Sequence, residues 1–162
     1  MALNYNRMFS LPNSIKFITL VLTLLVLLCI GSAHVQPGGT GFIWASAVLS
    51  LIVDLLLVLL LMLELDQVVF PRGAFFSWPL LECTTSILFG ITYFISIWLC
   101  ANGSSKGSYA AFLFAGLFSL LNFSAYAFNV VIFGRIWANE YRVEVGGSRL
   151  TEDPEPPSYG GP

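Results

Sequence analysis

Apolar residues along this chain arrive in long blocks separated by short polar punctuation, and block length decides how they are read. Four blocks, at about 15–33, 42–65, 78–100 and 108–134, are dominated by Leu, Val, Ile, Phe and Ala. A helix rises about 1.5 Å per residue and the hydrocarbon layer is roughly 30 Å thick, so about 20 apolar residues in a row predict a membrane-crossing helix. Turn-forming residues fall between the blocks: Pro37-Gly38-Gly39 with Gly41, then Pro71 with Gly73, then Asn102-Gly103-Ser104-Ser105 with Gly107. Such short connections predict antiparallel neighbours. The expected fold class is an all-α integral membrane protein, an antiparallel four-helix transmembrane bundle over residues 15–138. A cytosolic N-terminus (1–14) precedes it and a disordered cytosolic tail (139–162) follows. The first block, running into His34-Val35-Gln36-Pro37, reads as a retained anchor rather than a cleaved leader.

Composition agrees with this reading. Charged residues make up 10% of the chain and hydrophobic residues 57%, whereas a soluble domain carries roughly a quarter charged residues. The net charge of −2 gives no reason to expect a nucleic-acid partner. Cys29, Cys83 and Cys100 are scattered through apolar blocks without the spacing of a disulfide framework or a metal site. Basic residues set orientation: Arg7, Lys16, Arg72, Arg135, Arg142 and Arg149 fall on one side of the predicted membrane and Lys106 on the other. This places both termini in the cytosol.

Polar residues within the blocks are the candidate functional positions. Asp54 lies midway through the second block, where an acidic side chain costs about 2.5–3.5 kcal/mol on insertion scales and must face the bundle interior. With no cation placed beside it, burial would hold Asp54 in its neutral acid form. Ala47 and Ser50 share its helix face. On the fourth block Ala111, Ala115, Ser119, Asn122, Tyr126 and Asn129 follow helical spacing, small residues allowing close approach and amides bonding across helices. Depth counting pairs Asp54 with Asn122, with Tyr126 as the next partner. Glu82, Ser86, Gly90, Tyr93 and Ile97 form a stripe on the third block, and Thr19 and Thr23 mark the first. Glu64 and Glu82, with Lys16, Arg72 and Arg135, read as an interfacial charge cluster that sets helix depth.

The tail carries Pro156-Pro157-Ser158-Tyr159, a Pro-Pro-x-Tyr motif. Segments of this kind hold a polyproline II shape and dock in the aromatic groove of WW domains. WW domains occur in membrane-associated ubiquitin ligases, so these are candidate partners, beside the lipid bilayer and other membrane proteins or further copies of the chain. Lys16 and Lys106 are the only lysines. A recruited ligase would find a poor substrate here, which favours an adaptor acting on other cargo. Tyr5-Asn6-Arg7-Met8 fits a tyrosine-based endocytic pattern, and plasma membrane and endosomal vesicles are the expected locations.

Acidic residues in the second span and at the start of the third, with the stretches Glu82-Cys83-Thr84-Thr85-Ser86-Ile87-Leu88-Phe89 and Ala125-Tyr126-Ala127-Phe128-Asn129, resemble the MARVEL superfamily, in particular the MAL and chemokine-like-factor proteins. The resemblance covers about 9–137. It implies membrane apposition, lipid-domain organisation and vesicle trafficking, without catalytic residues or cofactor. The alternative from the residues alone is a small proton-linked transporter or channel subunit using Asp54. An enzyme is not expected: the single histidine, His34, lies in a predicted outer loop, and no nucleophile or carboxylate pair is placed beside a base.

Overall fold

The computed structural model describes residues 14–63 and 77–150, with side chains as far as Val143. The regular elements among these residues are four helices: α1 (Ile15–Gly31), α2 (Thr40–Met62), α3 (Trp78–Ser104) and α4 (Tyr109–Leu150). α2, α3 and the Tyr109–Val143 part of α4 are each long and apolar enough to cross a membrane. α1 has 17 residues, a length of about 25 Å at the usual rise.

The ends of the helices follow local chemistry. Gly39 adopts φ 99° ahead of α2, a left-handed conformation that glycine tolerates without steric cost. The Thr40 hydroxyl donates to the Pro37 carbonyl at 2.7 Å and closes the same turn. Pro79 stands in the first turn of α3, where its missing N–H removes nothing from the helix. Gly107, at φ 116°, turns the chain into α4. The Val35 N–H donates to Ser108 Oγ at 3.0 Å, tying the α1–α2 and α3–α4 connections together at one end of the molecule.

Two boundaries differ from those the residue pattern predicts. α3 continues to Ser104 instead of stopping near residue 100, because Gly103 serves close packing rather than a break. A Cβ on Gly103 would lie 2.9 Å from Cδ1 of Phe112, so its bare backbone admits that ring. α4 continues past Gly134 to Leu150, so residues 139–150, expected to be disordered, are helical. No proline intervenes before Pro154. Glu140 and Arg142 are good helix formers, and the rings of Trp137 and Tyr141, one turn apart, stack with centroids 6.0 Å apart.

Beside a buried apolar core that includes Val26, Ile30, Ile43, Phe89 and Phe112, the molecule buries polar groups and exposes large apolar ones. Leu28 is 69% exposed, and Leu49, Leu88 and Phe128 are each 57% exposed. Lys16, Thr19, Thr23, Ser50, Asp54, Glu82, Ser96, Ser119, Asn122 and Asn129 are buried. An outer surface this apolar would associate indiscriminately in water; hydrocarbon is the solvent that suits it. Ala47, Ala115 and Tyr93, all fully buried, bring the helices into contact. Where α3 meets α4, a Cβ on Gly90 would lie 3.9 Å from Tyr126 Cβ, and one on Gly116 would lie 3.2 Å from Cys100 Cβ.

Gly103→Ala is expected to lower stability by about 1–3 kcal/mol by forcing Phe112 aside. Gly41→Ala, at a helical position with no neighbour within 4 Å, should be neutral or stabilising by up to about 1 kcal/mol. Thermal unfolding in detergent measures both, and equal melting temperatures for the two variants would refute the packing role of Gly103.

Candidate functional site: a buried polar network across four helices

Residues Lys16, Thr19, Thr23, Val26 and Ile30 form the buried stripe of α1, with the three-and-four spacing of one helix face. Lys16, in the first turn, brings a cation to the start of that stripe. Its Nζ lies 2.7 Å from Glu82 Oε2 of α3 and 3.8 Å from Asp54 Oδ1 of α2. The three residues are 3%, 1% and 2% exposed, respectively. The Lys16–Glu82 contact is close but poorly directed: neither Glu82 oxygen has a hydrogen-bond partner of good geometry. The pairing is therefore chiefly coulombic.

Asp54 is held from two further directions. The Tyr126 hydroxyl of α4 lies 2.6 Å from Asp54 Oδ2. Thr19 Oγ1 of α1 lies 2.9 Å from the same oxygen and 2.9 Å from the Lys16 backbone carbonyl. One carboxyl group thus joins α1, α2 and α4.

A second chain of hydroxyls runs beside the first. Asn122 Nδ2 donates to Thr23 Oγ1 at 3.2 Å. Thr23 Oγ1 is 2.9 Å from the Tyr93 hydroxyl, which is 2.8 Å from Ser50 Oγ, and Ser50 donates to the Ala47 carbonyl at 3.0 Å. Reading the direction as Asn122 to Thr23 to Tyr93 to Ser50 to Ala47 uses each hydroxyl hydrogen once and links all four helices. The Tyr93 and Tyr126 rings stack with centroids 5.7 Å apart and an interplanar angle of 20°, which sets the two hydroxyls into the two chains. Ser46 and Ser96 meet at 3.3 Å and add a further α2–α3 contact.

Several positions fall elsewhere than the residue pattern places them. Asn122 bonds Thr23 rather than Asp54, and Tyr126 takes the Asp54 position. Counted from the observed helix starts, Thr40 and Tyr109, Asp54 is still level with Asn122; it is the longer Tyr126 side chain, one turn further along α4, that reaches the carboxyl. Glu82 is buried against Lys16, because Lys16 follows Thr19 and Thr23 inward. Asp54 accordingly has a cation nearby, and the premise that none is present fails. Arg135 is exposed on α4. Asn129 is buried, and its Oδ1 has no hydrogen-bond partner among the described residues. Glu64, Arg72, Pro156, Pro157, Tyr159 and the segment containing Tyr5 lie outside the described residues.

An apolar groove of about 450 Å³ opens on the outer surface between α3 and α4, floored by Gly90 and Ala127 and walled by Phe94 and Phe123. It is separate from the polar network. Comparisons of the chain with models of known protein families, with curated proteins and with solved structures find no match.

Because Tyr93 and Ser50 belong to one hydroxyl chain, their substitutions are expected to be non-additive. Tyr93→Phe should cost about 1–2 kcal/mol by stranding the Thr23 hydroxyl. The Tyr93→Phe/Ser50→Ala pair should cost less than the two singles together, with a coupling of about 0.5–1 kcal/mol. A double-mutant cycle of unfolding in detergent measures this coupling, and strict additivity would rule out the shared chain.

Proposed function

We propose that the chain is a four-span antiparallel helical membrane protein with both ends in the cytosol, acting as a membrane organiser and trafficking adaptor in the manner of MARVEL proteins. Contacts between helices support the arrangement: residue numbers rise along one helix as they fall along its neighbour, as in the Cys83–Val130 and Phe94–Phe123 pairs. The observation that carries the functional reading is the placement of polar groups. They face one another inside the bundle, and the outer surface is left apolar for lipid and neighbouring membrane proteins. An interior crossed by hydrogen bonds that join all four helices supports a scaffold role.

Lysine placement supports the adaptor role. Lys16 is 3% exposed and engaged with Glu82, and Lys106 lies in the α3–α4 connection, on the outer side in this orientation. A ubiquitin ligase recruited by Pro156, Pro157 and Tyr159 would have no free lysine of this chain within reach and would act on a companion protein. The full-length chain in detergent is expected to bind WW domains of membrane-associated ligases, and Tyr159→Ala to weaken that binding at least about tenfold, the scale of one lost anchor side chain. Equal binding by the native and variant chains would overturn the adaptor reading.

A small proton-linked transporter or channel subunit is the second reading, favoured by the buried Lys16–Asp54–Glu82 group. Its helices would be expected to break at a midplane site, whereas α2 runs continuously past Asp54, and Lys16 and Glu82 lie in the first two turns of α1 and α3. Proton flux into liposomes carrying the purified chain, abolished by Asp54→Asn, would establish the transporter. The scaffold reading predicts no flux above that of empty liposomes.

A further inference from the structure

Lys16, Asp54 and Glu82 bring one fixed cation and two carboxyl groups into a single site that is at most 3% exposed. With both acids ionised the group carries an uncompensated negative charge, and an unpaired charge away from water is strongly unfavourable. Among the described residues Tyr93 of α3 and Tyr126 of α4 are the other titratable groups facing Asp54, and neither supplies a positive charge. Arg135 is exposed to the outside. Counted over the described residues, the group is short of one positive charge.

A separate count of hydrogens favours the same answer. Thr19 has one hydroxyl hydrogen but lies 2.9 Å from two acceptors, the Lys16 carbonyl and Asp54 Oδ2. Both contacts become hydrogen bonds when Asp54 carries a proton: Asp54 then donates to Thr19, and Thr19 donates to the Lys16 carbonyl. Tyr126 donates to Asp54 as before. Glu82 offers no equivalent seat: its close polar neighbour among the described residues is Lys16 Nζ, 2.7 Å from Oε2, which is a donor. A proton there would point at no acceptor. Lys16 is also closer to Glu82, at 2.7 Å, than to Asp54, at 3.8 Å, as a Lys16–Glu82 ion pair beside a neutral Asp54 requires.

We infer that the bundle interior is a binding site for a single proton, held on Asp54 and donated to Thr19, with Lys16 and Glu82 ionised beside it. The bound proton closes the charge balance of the group and completes the junction of α1, α2 and α4. This goes beyond the scaffold reading and does not depend on what the tail recruits.

Infrared spectroscopy of the full-length chain in lipid nanodiscs at neutral pH tests the assignment. The unsubstituted protein is expected to show one carbonyl band of a protonated carboxylic acid. The band should move to lower frequency when the chain is labelled with carboxyl-¹³C aspartate and stay in place with carboxyl-¹³C glutamate. Asp54→Asn should remove it. Glu82→Gln should remove it too, because one remaining acid is balanced by Lys16 without a proton. Absence of the band in the unsubstituted protein, a shift with labelled glutamate, or persistence in Asp54→Asn would each overturn the assignment. The labelling arms use the unsubstituted chain and so hold even if a variant fails to fold.

Discussion

Inside this bundle a lysine and two carboxyl groups meet where water does not reach, and the arrangement of the helices follows from the need to keep them together. Removing one partner of a buried ion pair costs about 3–5 kcal/mol, because the other charge is left uncompensated. Three helices supply one member each: Lys16 on α1, Asp54 on α2 and Glu82 on α3. The fourth supplies the Tyr126 hydroxyl to Asp54. No helix can rotate or slide by a turn without stranding one of these groups in an apolar surrounding. A single electrostatic requirement therefore fixes the register of all four.

The hydroxyl chain through Thr23, Tyr93 and Ser50 depends on that register. Each such bond contributes little, about 0.6 kcal/mol on average in membrane proteins, so the chain does not drive association. It selects among packings that the charged group already permits. Ala47 and Ala115, together with Gly90 and Gly116, keep the backbones close enough for short hydroxyls to meet. Larger residues there would separate Asn122 from Thr23 and leave amide and hydroxyl groups unpaired. Outside the bundle, leucine, isoleucine and phenylalanine side chains face outward in every helix, so contact with lipid or another apolar surface is part of the stable state.

Much of this was legible in the sequence. The helical blocks are long and uniformly apolar, and one period dominates each of them. The polar stripes carrying Asp54, Glu82 and Tyr126 stood out because polar residues are rare against that background. Lys16 was not legible as a core residue. A lysine in the first turn of a predicted span ordinarily extends toward the interface, and counting basic residues for orientation treats it as a marker of the cytosolic side. Its three-residue spacing from Thr19, and from there four to Thr23, is the signal that places it on the buried face. The continuation of α4 was hidden for another reason: polar composition after residue 139 shows only that no core is buried there, and a solvated helix satisfies that as well as a disordered chain. Gly103 misled similarly, because glycine marks both a turn and a close approach.

Charge balance within the Lys16–Asp54–Glu82 group is the claim on which the rest stands, and it is tested by removing the cation with and without its partners. Lys16→Met alone is expected to destabilise the detergent-solubilised chain by about 3–5 kcal/mol, read as a lowered unfolding midpoint. The triple variant Lys16→Met/Asp54→Asn/Glu82→Gln should recover most of that loss. A Lys16→Met protein as stable as the unsubstituted one, or a triple variant no more stable than Lys16→Met, would contradict the account.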